Sequence, residues 1–380
     1  MSRKKKDFDD YVKSEKIRKK SSKSFAEQDK KDFVMDDKKE LKELLKEGYF
    51  LARVVEVQKK YVFLAPEEKE LDMDTRDVWL STVAKKFLQN QRSERNFIVV
   101  GDKVVCLSSK HSDSEEFPQC TIEYRLPRET QISRVDPLVV NREHILASNL
   151  TQLVIVASYL SPPVRWGLID RFLVHAEHEQ ITPIIILNKK DLLEEETSES
   201  FKKECEEEEK LYTDLGYQVI SFETLSLSSK KKPPKILHDL FKEHITLIVG
   251  HSGVGKSSIT NLLRPEIEQD VEELEIFKKG RHTTTYTSLL KLENGGFIID
   301  TPGIRSFTLT ELEPIQLCWG FVEMRPYLNQ CRYRACRHSN EPDCAIIQAV
   351  SDKKISARRH QSYLNILFNT QRREGRYTLE

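Results

Sequence analysis

The segment Ile245–Leu263, reading ITLIV-GHSGVGKS-SITNLL, constrains the fold more than any other part of the chain. An apolar strand-like run leads into a turn that fits G-x-x-x-x-G-K-[ST]. A helix-compatible run follows and closes at Arg264-Pro265. Glycines let such a turn curl until successive backbone N–H groups face phosphate oxygens, and the helix start adds positive potential. Gly250, His251, Ser252, Gly253, Val254, Gly255, Lys256, Ser257 and Ser258 are therefore candidate nucleotide-binding residues. Lys256 would reach the β- and γ-phosphates, and the Ser257 hydroxyl would ligate Mg²⁺. Strand–loop–helix units of this kind belong to doubly wound α/β sheets, and the flanking pattern agrees. Apolar runs at Leu153–Ser158, Pro183–Asn188, Tyr217–Ser221, Ile245–Gly250 and Phe297–Asp300 alternate with helical spacing, as at Leu168–Glu179.

A phosphate loop alone does not choose the base, and this one would also suit a nucleoside monophosphate kinase. Asn188-Lys189-Lys190-Asp191 makes the choice, because it ends the strand PIIIL, where open α/β sheets bind ligands. A carboxylate there accepts both the N1–H and the exocyclic amine of guanine, which adenine cannot offer. Asn188 can bond the acceptor edge of the base, and the stem of Lys189 can cover its face. Asp300-Thr301-Pro302-Gly303 ends the strand FIID, with Asp300 suited to Mg²⁺ and the Gly303 N–H to the γ-phosphate. Between the motifs, Gly280-Arg281-His282-Thr283-Thr284-Thr285 supplies a switch threonine. Spacing leaves Thr283 and Thr284 both open, with Thr284 preferred. Ile304 stands where a water-orienting glutamine would follow DTPG, so His282 is the nearest group able to orient the attacking water. A kinase would not explain NKKD together with DTPG.

Ahead of this domain the texture differs. Tyr49–Gln58, Lys60–Ala65, Phe97–Val100, Lys103–Ser108 and Gln119–Leu126 read as short strands of a small barrel, such as a five-stranded oligonucleotide-binding (OB) fold. The first 24 residues carry ten Lys/Arg against four Asp/Glu and almost nothing apolar. Residues 1–45 are thus expected to be a basic, disordered arm, either touching phosphate backbones or merely solvated. Over the whole chain the charges cancel, 61 basic against 61 acidic. No apolar run is long enough for a membrane span, and the Lys-rich start is unlike a secretory signal, so a cytoplasmic location is expected.

Cys331-x4-Cys336-x-His338-x5-Cys344 offers three thiolates and one imidazole. Zn²⁺ takes four such ligands tetrahedrally, and a site with no open position is structural. Arg332, Arg334 and Arg337 interleave the ligands and would face phosphate. Two helices are expected nearby, near Pro314–Arg325 and Ser356–Asn369.

The motif order is itself informative. NKKD at 188–191 precedes the phosphate loop at 250–257, and DTPG at 300–303 comes last, which is a circular permutation of the ordinary GTPase sheet. With the barrel and its GDKV, and with GRHTTT and the Cys/His cluster in this order, residues 46–375 resemble the RsgA (YjeQ) family of circularly permuted GTPases. The resemblance implies an OB-fold barrel at 46–135, a permuted GTPase domain at 136–310 and a mainly helical zinc-binding domain at 311–380. It also implies GTP hydrolysis with Mg²⁺, stimulated by the small ribosomal subunit, whose late maturation the family assists. rRNA contacts would come from the barrel and the zinc domain, His282 would be catalytic, and the protein is expected to be monomeric and away from membranes. One departure is local: Ser221-Phe222-Glu223-Thr224 stands where the family has a Ser-Ala loop and a Gly-rich turn beside the base. A rival from another class is an RNA-binding module that holds GDP or GTP without turning it over.

Overall fold

A computed structural model of the chain describes residues 33–58, 61–67, 78–84, 97–109, 118–135, 143–223, 233–264, 287–300, 312 and 314–373. They fall into two compact units. One comprises residues up to 54 with 58–98 and 102–128, and the other comprises 55–57, 99–101 and everything from 129 onward.

The first unit is a closed barrel of β1 (Tyr49–Val57), β2 (Val62–Pro66), β3 (Trp79–Val83), β4 (Lys103–Ser108) and β5 (Gln119–Arg125). The strand order is β1-β2-β3-β5-β4, closed by an antiparallel β4–β1 pairing, and only β3 and β5 are known to run parallel. This is the closed Greek-key arrangement that the OB fold uses to remove sheet edges. Alternation fills it, because Ala52, Val54, Leu64, Val104, Cys106 and Ile122 all point inward and are fully buried. The third strand is Trp79–Val83; Phe97–Val100 forms no strand, and Val100 makes only an isolated bridge with Ala147. Residues 33–46, expected in the arm, are ordered. Phe33 and Met35 are buried, and Phe33 stacks on Phe97 at 4.0 Å. The backbone there bonds both faces of the Arg125 peptide (2.9 and 3.0 Å), and a helix α1 (Lys38–Lys46) follows, capped by the Asp37 carboxylate on the Lys39 N–H at 2.8 Å. These apolar side chains lie just past the stretch that lacks them. Residues 1–32 lie outside the described residues.

The second unit opens with a hairpin, β6 (Gln131–Val135) and β7 (Glu143–Ser148), so β6 pairs away from the barrel strands. Six strands then build one sheet: β8 (Gln152–Ser158), β9 (Thr182–Asn188), β10 (Gln218–Ser221), β11 (Ile245–Val249), β12 (Ser288–Lys291) and β13 (Phe297–Asp300). Their order is β10-β9-β8-β11-β13-β12, parallel except for β12 against β13. Helices α2 (Trp166–Glu179), α3 (Lys190–Glu195), α4 (Glu199–Asp214), α5 (Lys235–Phe241) and α6 (Lys256–Leu263) connect them. The chain runs outward through β8, β9 and β10, then returns to place β11 on the other side of β8. That reversal is the switch point at which such sheets form a ligand crevice. The charged stretch 192–210 includes most of α4, a helix that buries Cys205 and Tyr212 against the unit. β12 escaped the sequence reading altogether.

The C-terminal part consists of α7 (Pro314–Trp319), a 3-10 turn (Val322–Tyr327), a Cys/His knuckle, α8 (Ala345–Ser351) and α9 (Ala357–Arg373). Its apolar core of Leu317, Phe321, Met324, Ile346 and Tyr363 includes Val174 of α2. Gly320 is where the two approach most closely, since a Cβ there would lie 2.7 Å from a Val174 methyl. A cluster of charges seals the same contact. Asp170 of α2, fully buried, accepts from Arg358 Nη1 (2.6 Å), Arg359 Nη1 (2.7 Å) and the Tyr212 hydroxyl (2.6 Å). Arg359 also forks onto Glu323 at 2.6 and 2.8 Å, and Arg358 reaches Glu208 at 2.6 Å. Burial pushes the Asp170 carboxyl up, but the two guanidinium groups outweigh it and hold it below its ordinary value.

Candidate functional site

At the crevice, the phosphate loop leaves β11 with backbone that glycine alone tolerates. Gly250 (φ +147°) lies so close to β8 that a Cβ would fall 2.1 Å from the Val156 carbonyl oxygen. Gly253 and Gly255 also have positive φ, and Gly255 starts α6. The Lys256 ammonium donates to the carbonyls of Gly250 (2.9 Å) and His251 (2.7 Å), holding its charge across the mouth of the loop. Ser252, Ser257 and Ser258 are exposed there, and Val254 is buried beneath.

Asn188, fully buried at the end of β9, donates its amide to the Val254 carbonyl at 2.8 Å and so ties the NKKD turn to the phosphate loop. Lys189 takes a left-handed conformation (φ +61°), and its ammonium donates to the Ser161 carbonyl in the loop after β8. Lys190 is exposed and opens α3. Asp191 differs from its neighbours: its Oδ1 is buried and has no hydrogen-bond partner among the described residues. A polar oxygen kept from water and left unpaired is costly, and a donor from outside the chain would relieve that cost.

The departure after Ser221 has a structural answer that the sequence did not reveal. The Ser221 hydroxyl donates to Glu209 Oε2 (2.8 Å), and the Tyr159 hydroxyl donates to Glu209 Oε1 (2.5 Å) while lying 2.7 Å from Ser221 Oγ. Burial first, then the Glu209 hydrogen bond, pushes the Tyr159 phenol far above its ordinary value, so it stays a donor. Tyr159 and Ser221 follow or end strands on either side of β9. The triad thus braces the NKKD turn from both flanks. Backbone bonds from Phe222 N to Leu187 O (2.8 Å) and from Lys190 N to Phe222 O (3.3 Å) complete the brace. Nothing in the sequence marked Tyr159 and Glu209, which lie fifty residues apart.

His282, Thr283, Thr284 and Gly303 lie outside the described residues, and Asp300 is placed only as the last residue of β13. β13 pairs with β11, which brings Asp300 to the same end of the sheet as Gly250.

In the C-terminal part, the ligand atoms of Cys331, Cys336, His338 and Cys344 all lie within 4.8 Å of one another. Three separations test the fit to zinc. Cys331 Sγ to Cys344 Sγ is 3.8 Å, and His338 Nδ1 stands 3.5 Å from Cys331 Sγ and 3.4 Å from Cys344 Sγ. Tetrahedral zinc with bonds of about 2.3 Å to sulfur and about 2.05 Å to nitrogen requires edges of about 3.8 and 3.6 Å. The residues fit the ion. Burial raises the thiols of Cys336 and Cys344, and burial keeps the His338 imidazole below its ordinary pKa and therefore neutral. A cation among them would release the thiol protons. Outer contacts hold the ligands: His360 Nε2 donates to the His338 carbonyl (2.8 Å), and the Tyr363 hydroxyl to that of Arg337 (2.9 Å). The Glu341 carboxylate gathers the N–H groups of Arg337, Ser339 and Asn340 at 2.9–3.2 Å. Burial opposes its charge, but these N–H groups prevail and bring it down to about 2.

Comparison with known proteins decides the family. The family model for the RsgA GTPase matches residues 125–310. A small ribosomal subunit biogenesis GTPase RsgA of Shewanella oneidensis is 39% identical over 280 residues, covering 73% of this chain and 76% of that protein. The chain belongs to the RsgA GTPase family. It is accordingly a GTP hydrolase, and GTP implies Mg²⁺. A second RsgA, from Haemophilus influenzae, is 37% identical over 73% of this chain and 77% of its own length. Among solved structures, YjeQ from Thermotoga maritima superposes with a TM-score of 0.63 at 26% identity, covering 85% of this chain and 98% of that one. The circularly permuted GTPase YloQ shares the fold, also at 0.63, over 87% of this chain and 97% of its own, at 23% identity. NKKD, the phosphate loop and Asp300 therefore follow one another on strands of one sheet in the permuted order. No helix among the described residues is long and apolar enough to cross a membrane.

Proposed function

We propose that this RsgA-family chain binds the small ribosomal subunit late in its maturation, in the cytoplasm and as a monomer, and that GTP hydrolysis times its release. The observation that carries the reading is the shared length with a relative named as a small ribosomal subunit biogenesis GTPase, 76% of which this chain spans. The barrel (46–135) and the zinc-binding domain (311–380) contact rRNA, the latter through the exposed Arg332, Tyr333, Arg334 and Arg337. The domain between them (136–310) carries the nucleotide.

In this reading the loop N–H groups of Gly250–Ser258 and the Lys256 ammonium hold the phosphates. The Ser257 hydroxyl, Thr284 and Asp300 hold Mg²⁺, which supplies charge neutralisation at the β- and γ-phosphates. Gly303 senses the γ-phosphate, and His282 orients the attacking water. The unpaired Asp191 oxygen supports guanine, whose N1–H and amine supply the donors it lacks. Lys189 covers the base and Asn188 keeps the turn in register. One structural zinc is held by Cys331, Cys336, His338 and Cys344.

The test is GTP hydrolysis with and without purified small subunits, comparing wild type with His282→Ala, with large subunits and ATP as controls. Stimulation by small subunits alone, lost in the variant while nucleotide binding is kept, is the expected result. Tight GTP binding with no stimulation would instead make the chain a nucleotide-sensing RNA binder.

A further inference from the structure

We propose that Arg165 is a catalytic residue of this GTPase, an arginine supplied within the chain that touches the β- and γ-phosphates during hydrolysis. The inference rests on the nucleotide reading above and adds to it a group that no motif contains.

The loop after β8 lies against the phosphate loop. A Cβ placed on Gly253 would meet Pro162 Cδ at 3.5 Å, and the neighbouring Ser161 carbonyl accepts from Lys189 of the base motif. The loop is also stiff. Ser158 Oγ donates to the Pro162 carbonyl at 2.7 Å, and Val164 N donates to the Tyr159 carbonyl at 3.1 Å. Its last residue is Arg165, the N-cap of α2, whose carbonyl already accepts from Leu168 N (2.9 Å) and Ile169 N (3.3 Å). The next residue, Trp166, is buried and donates its indole N–H to Glu204 at 3.2 Å. The backbone of Arg165 is therefore fixed on both sides.

Its side chain is not. Arg165 is exposed, caps no helix N–H, and its guanidinium has no hydrogen bond or ion pair among the described residues. It lines one cleft with Gly250 and His251 of the phosphate loop and with Leu168 and Phe172 of α2. Lys256 rests on the Gly250 and His251 carbonyls and Lys189 on the Ser161 carbonyl, so each already has partners that Arg165 lacks among the described residues. A free guanidinium on a rigid mount beside a phosphate loop is the arrangement that stabilises phosphoryl transfer. In that step the water oxygen bonds to the γ-phosphorus as the bond to the β–γ bridging oxygen breaks. The electron pair stays on GDP, and the water proton leaves with the inorganic phosphate. Arg165 would meet the charge that grows on the bridging and γ-oxygens with two parallel N–H donors.

Single-turnover hydrolysis by the full chain tests this, together with capture of GDP by aluminium fluoride, which mimics the transferring phosphoryl group. Arg165→Ala should lower the rate by about 100-fold or more and abolish the fluoride complex. GDP affinity should hold within about threefold, because the interaction forms in the transition state. Arg165→Lys keeps the charge without the fork and should fall between. Unchanged melting of both variants keeps a folding defect from imitating the result. A wild-type rate and fluoride complex in Arg165→Ala would overturn the proposal, as would loss of the fluoride complex in Arg281→Ala or Arg305→Ala but not in Arg165→Ala. Lys256→Ala separates the two levels: if it still binds GDP tightly, the nucleotide reading itself has failed.

Discussion

Two aspartates in the same unit, one fully buried and one half-buried, have opposite surroundings. Asp170, on α2, is bonded by two arginines and a tyrosine, and the arginines are in turn bonded by Glu208 and Glu323. Asp191, on α3, keeps one buried oxygen with no partner among the described residues. Both carboxylates sit on helices, Asp170 past the first turn of α2 and Asp191 within the first turn of α3, and they look alike as letters. The first is saturated and joins the C-terminal part to α2. The second is left open, and in the proposed function it is the group that meets the guanine base. A carboxylate whose every lone pair is answered from within the chain belongs to the architecture. One that is buried and unanswered belongs to a ligand.

The comparison breaks most readily at the open end. Asp191→Asn removes an ionised acceptor for two guanine donors, and charge-assisted bonds of about 1.5–3 kcal/mol each are at stake. GDP affinity should fall at least about 100-fold in a fluorescent-nucleotide titration. Xanthosine diphosphate, which presents a carbonyl where guanine has its amine, should bind the variant better than GDP does. Retained preference for GDP would mean that the open oxygen does not face the base.

At the saturated end, Arg359→Met strands Asp170 and Glu323 together. Losing one partner of a buried pair costs about 3–5 kcal/mol, to be read from urea denaturation of the metal-loaded protein. GDP affinity should stay near wild type, which is the sharpest contrast with Asp191→Asn. The acid limb provides a related check. The Asp170 carboxyl is held below its ordinary value, so its contribution is complete above about pH 4 and fades as pH falls through the depressed value. Asp170→Asn should therefore lose stability at neutral pH and show a shallower further loss below pH 4.

The knuckle lies between these cases, with four ligand atoms gathered within 4.8 Å of one another. Cys344→Ser should lower bound zinc from one equivalent to well below one by elemental analysis, and chelation should lower the melting temperature of wild type more than of the variant. The smallest effect belongs to an exposed pair. Lys210 and Asp214 are 74% and 61% exposed at 2.6 Å, and Lys210→Ala should change stability by less than about 0.5 kcal/mol.

What the sequence disclosed follows the same division. The phosphate loop, NKKD and the Cys/His cluster were legible because each packs its chemistry into a few nearby residues, bounded by a strand or a turn. The third barrel strand was missed because Trp79–Val83 sits between charged stretches and carries only one clear alternation, whereas Phe97–Val100 is more apolar yet pairs with nothing in the barrel. Helix α4 is mostly charged, and only Cys205 and Tyr212 on it are fully buried. The Asp170 joint was invisible for a different reason. Its members come from four places in the chain, and Arg358-Arg359 in a helix reads as surface until the fold buries it. The Tyr159–Glu209–Ser221 brace is of the same kind.

The joint has one more consequence, which concerns the direction of synthesis. Asp170 emerges from the ribosome nearly two hundred residues before Arg359. Throughout that interval α2 carries an acidic group without the two guanidinium groups that answer it in the finished fold. The strands of the nucleotide-binding sheet are therefore synthesised before the clamp on α2 exists, and that contact forms only when α9 arrives. A product broken off before α9 would carry every GTP motif in sequence and still lack the counter-charges that α2 requires.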